Sequence, residues 1–269
     1  MDKHLIFMDI DGTLVDRDQT ISPKTRSVIT DLQKDGHLFY VATGRKYSSA
    51  FQMAQSLNKD TQIVASNGSI YSIHETIHKT QLTMEAIIAV YETVLPKNLP
   101  IFFFGEHTVF YTDTMPDHLK KGNQVRISTN GEEDFCYVDS LHTLKAVGHR
   151  IVNGLVVAEG REEELPSLQK QLAETNLLSV SSSHPNNIEL IPKGINKATA
   201  IQEIQKSLDV PKSRVISFGD GMNDLEMLQA SGVSVAMGNA VPQLKEHAKH
   251  LTDANTEDGI ANFLLRYFG

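Results

Sequence analysis

The chain has 269 residues, of which 40% are hydrophobic and 22% charged, and its formal net charge is −8 at pH 7. This composition excludes a disordered or fibrous chain, and the length suffices for one large domain or two modest ones. The negative charge offers no basic field to a nucleic-acid backbone, so we expect small-molecule partners and no nucleic acid. The first residues carry an acid and lead into only a short apolar run. Because this fits neither a signal peptide nor a membrane span, we expect a cytoplasmic protein without membrane contact.

Short apolar runs alternate with helical patterns at both ends of the chain. The runs that predict buried strands are Leu5–Ile10, His37–Ala42, Gln62–Ala65, Arg214–Phe218 and Val233–Ala236. Apolar residues recur at helical spacing in Pro23–Lys34, Gly44–Leu57, Asn196–Leu208, Met222–Ala230, Val241–Lys249 and Glu257–Tyr267. This alternation predicts an α/β fold with a parallel sheet covered on both faces, whose reactive groups lie at the carboxyl ends of the strands.

The middle of the chain has a different pattern. It predicts helices over Thr83–Leu95 and Arg161–Thr175, a strand over Ile151–Ala158, and hairpins over Ile101–Thr112 and Leu178–Ile191. We therefore expect an α+β domain over residues 82–189, inserted into a core built from residues 1–81 and 190–269. The single Cys136 cannot form an internal disulfide, and we interpret it as a packing residue.

Two carboxylates follow the first predicted strand, in the segment DIDGTL at positions 9–14. Asp9 and Asp11 stand two residues apart, and Gly12 lets the backbone turn sharply. In such a pair one carboxylate can attack phosphorus while the other transfers protons. An ordinary Asp-Gly turn after a buried strand is the alternative, and the motif alone does not decide between them.

Two further acids, Asp220 and Asp224, follow the strand predicted over Arg214–Phe218, in the segment GDGMND. Their spacing of four at the start of a predicted helix places them on one helix face. Carboxylates in this position can bind Mg²⁺, directly or through its waters. Helix capping is the simpler explanation, but it hardly accounts for four acids at strand ends of one sheet.

An anionic substrate requires counter-charge, and two other turns supply candidates. Thr43 offers a hydroxyl and Gly44 a backbone amide at the start of a predicted helix, where both can donate to a phosphoryl oxygen. Lys197 can neutralise the transferred group and reduce repulsion among the carboxylates. Taken singly, Thr43 is better interpreted as a helix cap and Lys197 as a solvated surface charge.

Together these four elements resemble the motifs of the haloacid dehalogenase superfamily, in particular its Cof-type, class IIB, sugar-phosphatase-like branch. The motifs occur in the family's order, as DIDGT, Thr43, Lys197 and GDGMND. The resemblance implies a Rossmann-like core with an α/β cap inserted between the second and third motifs. It also implies a magnesium-dependent phosphatase that hydrolyses small phosphomonoesters, such as sugar phosphates, through an aspartyl-phosphate.

The resemblance also implies a role for each motif residue. Asp9 is the nucleophile, and Asp11 protonates the leaving alcohol and later activates water. Mg²⁺ is held by a carboxylate oxygen of Asp9, the backbone carbonyl of Asp11 and the side chain of Asp220, with support from Asp224. The residues implied to contact the phosphoryl oxygens are Thr43, Gly44, Lys197 and Asn223.

Other features of the sequence keep alternatives open. The segment His74–His78 matches the HExxH pattern of zinc proteases, but its β-branched, alternating flanks favour a hairpin over the helix that this chemistry needs. A phosphotransferase or mutase, and a non-catalytic protein that binds phosphorylated metabolites, use the same motifs. Arg45, Asn67 and the turn His184–Asn187 are candidates for contact with the leaving group, whose identity the sequence leaves open.

Overall fold

The computed structural model describes residues 3–113, 135–182 and 184–269, and it divides the chain into two compact units. The first, here called the core unit, comprises Met1–Arg45, Ser49–His78 and Asn196–Gly269. The second, the insert unit, comprises Lys46–Ser48 and Lys79–Ile195. The stretch 114–134 and residue 183 of the predicted insert lie outside the described residues.

The described strands are numbered in chain order. They are β1 (Leu5–Met8), β2 (Leu38–Ala42), β3 (Gln62–Ala65), β4 (Ile70–Ile73), β5 (Thr76–Lys79), β6 (Ile101–Phe104), β7 (Val109–Tyr111), β8 (Phe135–Tyr137), β9 (Asn153–Val157), β10 (Leu178–Ser181), β11 (Asn187–Pro192), β12 (Val215–Gly219), β13 (Val233–Ala236) and β14 (His250–Leu251). The α-helices span Pro23–Lys34, Tyr47–Leu57, Met84–Val94, Leu141–Val147, Leu165–Glu174, Lys197–Ser207, Leu225–Ala230, Pro242–His247 and Gly259–Phe268. None of the helices in the described ranges is long and apolar enough to cross a membrane.

The core unit is built on an eight-stranded sheet in the order β14-β13-β12-β1-β2-β3-β4-β5. The strands from β14 to β3 run parallel, and β4 pairs antiparallel with β3. All four residues of β1 are fully buried between β12 and β2, as expected of a central strand covered on both faces. This mixed α/β fold with its largely parallel sheet confirms the predicted fold class.

The insert unit contains a six-stranded sheet in the order β10-β11-β9-β6-β7-β8. Alternate strand residues, among them Phe103, Val156 and Leu190, join the apolar cluster formed with the unit's helices. Cys136 packs against the same cluster, in agreement with its interpretation as a packing residue. The residues between them form a cross-strand row on the opposite face: Phe102 pairs with Leu155, and Leu155 with Glu189.

Several elements differ from those expected. The helix predicted from Gly44 begins at Tyr47, and the one predicted from Met222 is a 3₁₀ turn, Met222–Asp224, that precedes the helix Leu225–Ala230. The helix Leu141–Val147 was not predicted, because its seven residues are too few to show a clear period.

The HExxH segment lies on a hairpin, as predicted, and not on a helix. His74 and Glu75 form the turn between β4 and β5, and His78 lies on β5 with its ring stacked on Tyr71. The two histidines therefore lack the helical arrangement that places both on one zinc ion.

Candidate active site

The polar turns of the core sheet meet at the carboxyl ends of its central strands. Met8, the last residue of β1, is paired with Phe218 of β12 and with Val41 of β2. The amide of Asp9 extends this pattern by donating to the carbonyl oxygen of Phe218 at 3.1 Å. Asp9, Thr43 and Asp220, each at or just beyond the end of a strand, thus share one edge of the sheet.

Lys197 lies between two carboxylates at this edge. Its Nζ donates to Oδ1 of Asp9 at 2.5 Å and to Oδ1 of Asp224 at 2.6 Å. All three side chains are buried. Burial acts to lower the pKa of Lys197, but attraction by Asp224 and Asp9 outweighs it and holds that pKa above its ordinary value. Lys197 is therefore a buried cation and not the solvated surface charge that the sequence allowed.

The pKa of Asp9 is raised to about 8 in the absence of metal. Burial is the largest cause and repulsion by Asp224 the next, although Lys197 acts to lower the value. The pKa of Asp220 is raised to about 6, again by burial first and by repulsion from Asp224 second. These carboxylates thus crowd negative charge into a poorly solvated site, which favours the arrival of a cation.

The start of the helix Lys197–Ser207 is fixed by local contacts. Oδ1 of Asn196 accepts from the amide of Thr199 at 2.9 Å, and Oγ1 of Thr199 accepts from the amide of Asn196 at 3.1 Å. This reciprocal cap defines the first helical turn. Gly68, at φ +94°, approaches it so closely that a Cβ there would lie 2.2 Å from the carbonyl oxygen of Asn196. The position of Lys197 at the start of its helix is therefore fixed both by the cap and by the close approach of Gly68.

Asp224 serves both the pairing with Lys197 and the local turn. Its Oδ2 accepts from the amides of Asp220 at 3.0 Å and Gly221 at 3.2 Å, which closes the 3₁₀ turn. The predicted placement of Asp220 and Asp224 on one helix face is wrong, because Asp220 precedes the turn and Asp224 ends it. The turn nevertheless brings carboxylate oxygens of Asp9, Asp220 and Asp224 within 4.8 Å of one another.

This carboxylate group fits a hard divalent cation. Mg²⁺ prefers oxygen ligands, and in the part of the chain that the structure describes the three acids outnumber the one lysine, Lys197, that contacts two of them. Oδ1 of Asp220 accepts from Oγ1 of Thr13 at 3.0 Å, which orients that carboxylate. Gly12, at φ +81°, allows the approach, since a Cβ there would lie 2.3 Å from Oδ2 of Asp220.

Asp11 has different neighbours. Its Oδ2 accepts from Nε of Arg45 at 2.8 Å, its Oδ1 accepts from the terminal nitrogen of Arg45, and Gln19 bonds to both residues. Burial acts to raise the pKa of Asp11, but the hydrogen bonds and charge of Arg45 outweigh it and hold that pKa below its ordinary value. The side chain of Asp11 thus lies outside the carboxylate group around Lys197.

The remaining candidates lie in turns beside these groups. Thr43 is buried, and its Oγ1 accepts from the amide of Arg45 at 3.1 Å. The expected helix N-terminus at Gly44 is wrong, because the helix starts three residues later. Asn67 is left-handed, as an ordinary turn residue would be, and its amide donates to the carbonyl of Thr43. Asn223 is half-buried in the 3₁₀ turn.

One candidate set, the turn His184–Asn187, lies in the insert unit. The turn that begins at His184 is closed by Asn187, whose Oδ1 accepts from the amide of His184 at 3.4 Å. This agrees with the alternative that the asparagines here form a hairpin turn.

Sequence reasoning missed Thr13, Gln19 and the pairing of Arg45 with Asp11. Thr13 stands inside the DIDGT motif, so its position was the available signal. No local pattern marks Gln19, which reaches Asp11 through a left-handed backbone at φ 60°.

The largely parallel α/β sheet thus brings a group of carboxylates and a buried lysine together at one edge. The chain belongs to the haloacid dehalogenase-like hydrolases, since the sequence model of that family matches residues 6–264. A curated relative from Bacillus subtilis, 5-amino-6-(5-phospho-D-ribitylamino)uracil phosphatase YitU, is 31% identical over 98% of this chain and 97% of its own.

Solved structures show the same fold. A haloacid dehalogenase-like hydrolase from Bacteroides thetaiotaomicron has a TM-score of 0.84 and 25% identity, covering 99% of this chain and 100% of its own. The subclass IIB sugar phosphatase BT4131 has a TM-score of 0.80 and 24% identity, covering 98% and 99%. Both matches cover the sequence of the core unit and that of the insert unit.

Proposed function

We propose that this protein is a magnesium-dependent phosphatase that hydrolyses small phosphomonoesters through an aspartyl-phosphate on Asp9. The observation that carries the proposal is the buried contact of Lys197 with Asp9 at 2.5 Å, beside the carboxylates of Asp220 and Asp224. A structural ion pair needs only one acid. Here Lys197 and further acids surround Asp9, the residue that the motif resemblance implies as the nucleophile.

In the first half-reaction an oxygen of Asp9 attacks the phosphorus atom and forms a new O–P bond. The bond between phosphorus and the alcohol oxygen breaks, and Asp11 donates a proton to that oxygen. In the second half-reaction Asp11 takes a proton from water, the water oxygen attacks phosphorus, and the carboxylate of Asp9 is released with inorganic phosphate. Lys197 stabilises the negative charge on the phosphoryl group in both.

The carboxylates of Asp9, Asp220 and Asp224 and the backbone carbonyl of Asp11 are the groups that would hold Mg²⁺. When bound, the ion supplies positive charge that permits an anionic ester to approach the acids. Thr43, Gly44 and Asn223 are proposed to donate to the phosphoryl oxygens together with Lys197, whose Nζ lies between Asp9 and Asp224 in the structure.

Asp11 must exchange partners before it can act as an acid. Arg45 holds it ionised in the structure, and an ionised carboxylate has no proton to donate. A bound phosphate ester offers Arg45 a second anion, and we propose that this competition frees Asp11 for proton transfer.

The test is the release of phosphate from p-nitrophenyl phosphate by purified protein, with and without Mg²⁺, followed by a panel of sugar and nucleoside monophosphates. We expect turnover that requires Mg²⁺ and is lost in Asp9→Asn, with Asp31→Asn, an exposed acid, as the control. Binding of esters without turnover of any would overturn the proposal. Transfer of labelled phosphate to an added sugar in place of water would identify a phosphotransferase.

We also propose that the insert unit determines which ester is preferred. The row Phe102–Leu155–Glu189 combines apolar and acidic groups, and Asn153, on the same face of the sheet, carries a buried Oδ1 without a partner among the described residues. Asn153→Ala should change kcat/KM unequally across the panel, whereas Gln171→Ala, exposed in the same unit, should not. Equal changes for every ester would contradict this role.

A further inference from the structure

The loop that follows β13 contacts both acid-bearing turns of the core unit. Nδ2 of Asn239 donates to the carbonyl oxygen of Gly12 at 2.7 Å. Two residues later, the amide of Val241 donates to the carbonyl oxygen of Asp220 at 2.9 Å. One short segment therefore links the turn after Asp9 to the turn that carries Asp220.

The side chain of Asn239 fits this place in a single orientation. Its Oδ1 accepts from the amide of Asn255 at 3.0 Å. Because the amide of Asn255 can only donate and the carbonyl of Gly12 can only accept, the two ends of the Asn239 amide cannot be exchanged. The contact thus specifies an asparagine and not merely a polar residue.

Asn255 adds a parallel contact from the neighbouring loop. Its own Nδ2 donates to the carbonyl oxygen of Val15 at 2.8 Å. The two loops are tied together where the amide of Gly238 donates to the carbonyl of Asp253 at 3.1 Å. A Cβ at Gly238 would lie 2.6 Å from the amide of Ala254, so the loops approach each other closely.

These contacts act on a turn that tolerates little displacement. Gly12 lies against the carboxylate of Asp220, and Oγ1 of Thr13 donates to the same carboxylate. A shift of the carbonyl of Gly12 therefore displaces the groups that orient Asp220. It also changes the distance between Asp220 and Asp11, the residue before Gly12.

We propose that Asn239, supported by Asn255, is a positioning residue that sets the distance between the Asp9–Asp11 turn and Asp220 for Mg²⁺. The inference rests on the proposed function, because that function assigns the cation to these acids. In this role Asn239 acts through its contact with Gly12 and through the backbone of its own loop. Loss of such indirect support typically costs metal affinity about 10–100-fold.

The experiment compares Asn239→Ala, Asn239→Leu and Asn255→Ala with the wild-type protein. The Mg²⁺ concentration for half-maximal stabilisation is measured by thermal melting of metal-free protein, and kcat and KM are measured with p-nitrophenyl phosphate. Asn239→Leu, similar in size to asparagine, covers the case in which the alanine variant does not fold. Asn58→Ala is the matched control, since Asn58 also accepts from a backbone amide and donates from its side chain, in a turn of another part of the core unit.

We expect the half-saturating Mg²⁺ concentration to rise about tenfold or more in both Asn239 variants. Asn255→Ala keeps the backbone donor to Asn239, so a smaller rise is expected. KM for the ester should change less than kcat at subsaturating Mg²⁺. A purely structural role would lower the melting temperature of the metal-free protein without moving the Mg²⁺ midpoint, and that result would overturn the inference. If the wild-type protein hydrolyses no ester, the proposed function fails, while the melting titration still decides the role of Asn239.

Discussion

Two carboxylates two residues apart in the chain have opposite surroundings. The side chain of Asp9 is 7% exposed and contacts a buried lysine, whereas that of Asp11 is 54% exposed and contacts an arginine. Burial and a like charge raise the pKa of Asp9; Arg45 lowers that of Asp11. The difference shows that a tight turn directly after a strand can place two acids, separated by a single residue, in unlike surroundings.

The largest expected effect concerns the buried acid, Asp9, and its partner Lys197. Lys197→Met leaves Asp9 and Asp224 facing each other without a counter-charge. We expect the free energy of unfolding at pH 7 without Mg²⁺ to fall by about 3–5 kcal/mol, because an unpaired buried charge is costly. Urea denaturation measures the change. Lys34→Met, which removes a highly exposed partner of Asp31, is the control and should cost less than about 1 kcal/mol. Equal losses in the two variants would refute the assignment of Lys197 as a buried cation.

For the more exposed acid, Asp11, we expect a substitution to change activity much more than stability. We expect Asp11→Asn to lower kcat by about 10²–10⁴, the usual range for loss of a general acid and base. The unfolding free energy should change by less than about 1 kcal/mol, since a solvent-screened pair contributes little. Because Arg45 lowers the pKa of Asp11, that small contribution is present at pH 7 and is lost as pH falls through the lowered pKa. A variant as unstable as Lys197→Met would contradict this expectation.

A third, smaller effect is the pH dependence of the stabilisation by Mg²⁺. Protons compete with Mg²⁺ for Asp220 and Asp9, whose pKa values are about 6 and about 8. Mg²⁺ should therefore raise the melting temperature little at pH 5.5 and progressively more towards pH 8.5. Without Mg²⁺ the expected trend for these two groups is the opposite. Asp9 and Asp220 bind more protons in the folded than in the unfolded state above about pH 4, so their contribution to stability falls as pH rises towards 8.

Melting curves with and without Mg²⁺ at several pH values measure both trends. Asp220→Asn should show a smaller stabilisation by Mg²⁺ at every pH. A Mg²⁺ effect independent of pH would mean that these carboxylates do not bind the ion.

Much of the fold was accessible from sequence because buried parallel strands and covering helices leave a strong pattern. The predicted strands Gln62–Ala65 and Val233–Ala236 and the helix Pro23–Lys34 match the structure residue for residue. The first residues of the helices were harder to predict from the sequence. At Gly44 the apolar period suggests a helix, but the chain first runs through a turn that bonds to Thr43 and Ser66.

The site was predicted as a set of residues but not as an arrangement. Periodicity cannot show whether Lys197 is solvated or buried, since that depends on the pairing of β1 with β12 and on the close approach of Gly68. It also cannot show that Arg45 reaches Asp11, because a flexible side chain leaves no sequence period. Asn239 was missed for a related reason: its contact with Gly12 joins residues 227 positions apart.

The contact between Lys197 and Asp9 spans 188 residues of sequence. Loops of this length close slowly, and chains dominated by distant pairings fold slowly. During synthesis the ribosome must release Lys197 and then β12 before β1 acquires its second neighbour and Asp9 its counter-charge. An amino-terminal fragment thus carries Asp9 without its cation, and the proposed activity can appear only after the chain has been made at least as far as β12.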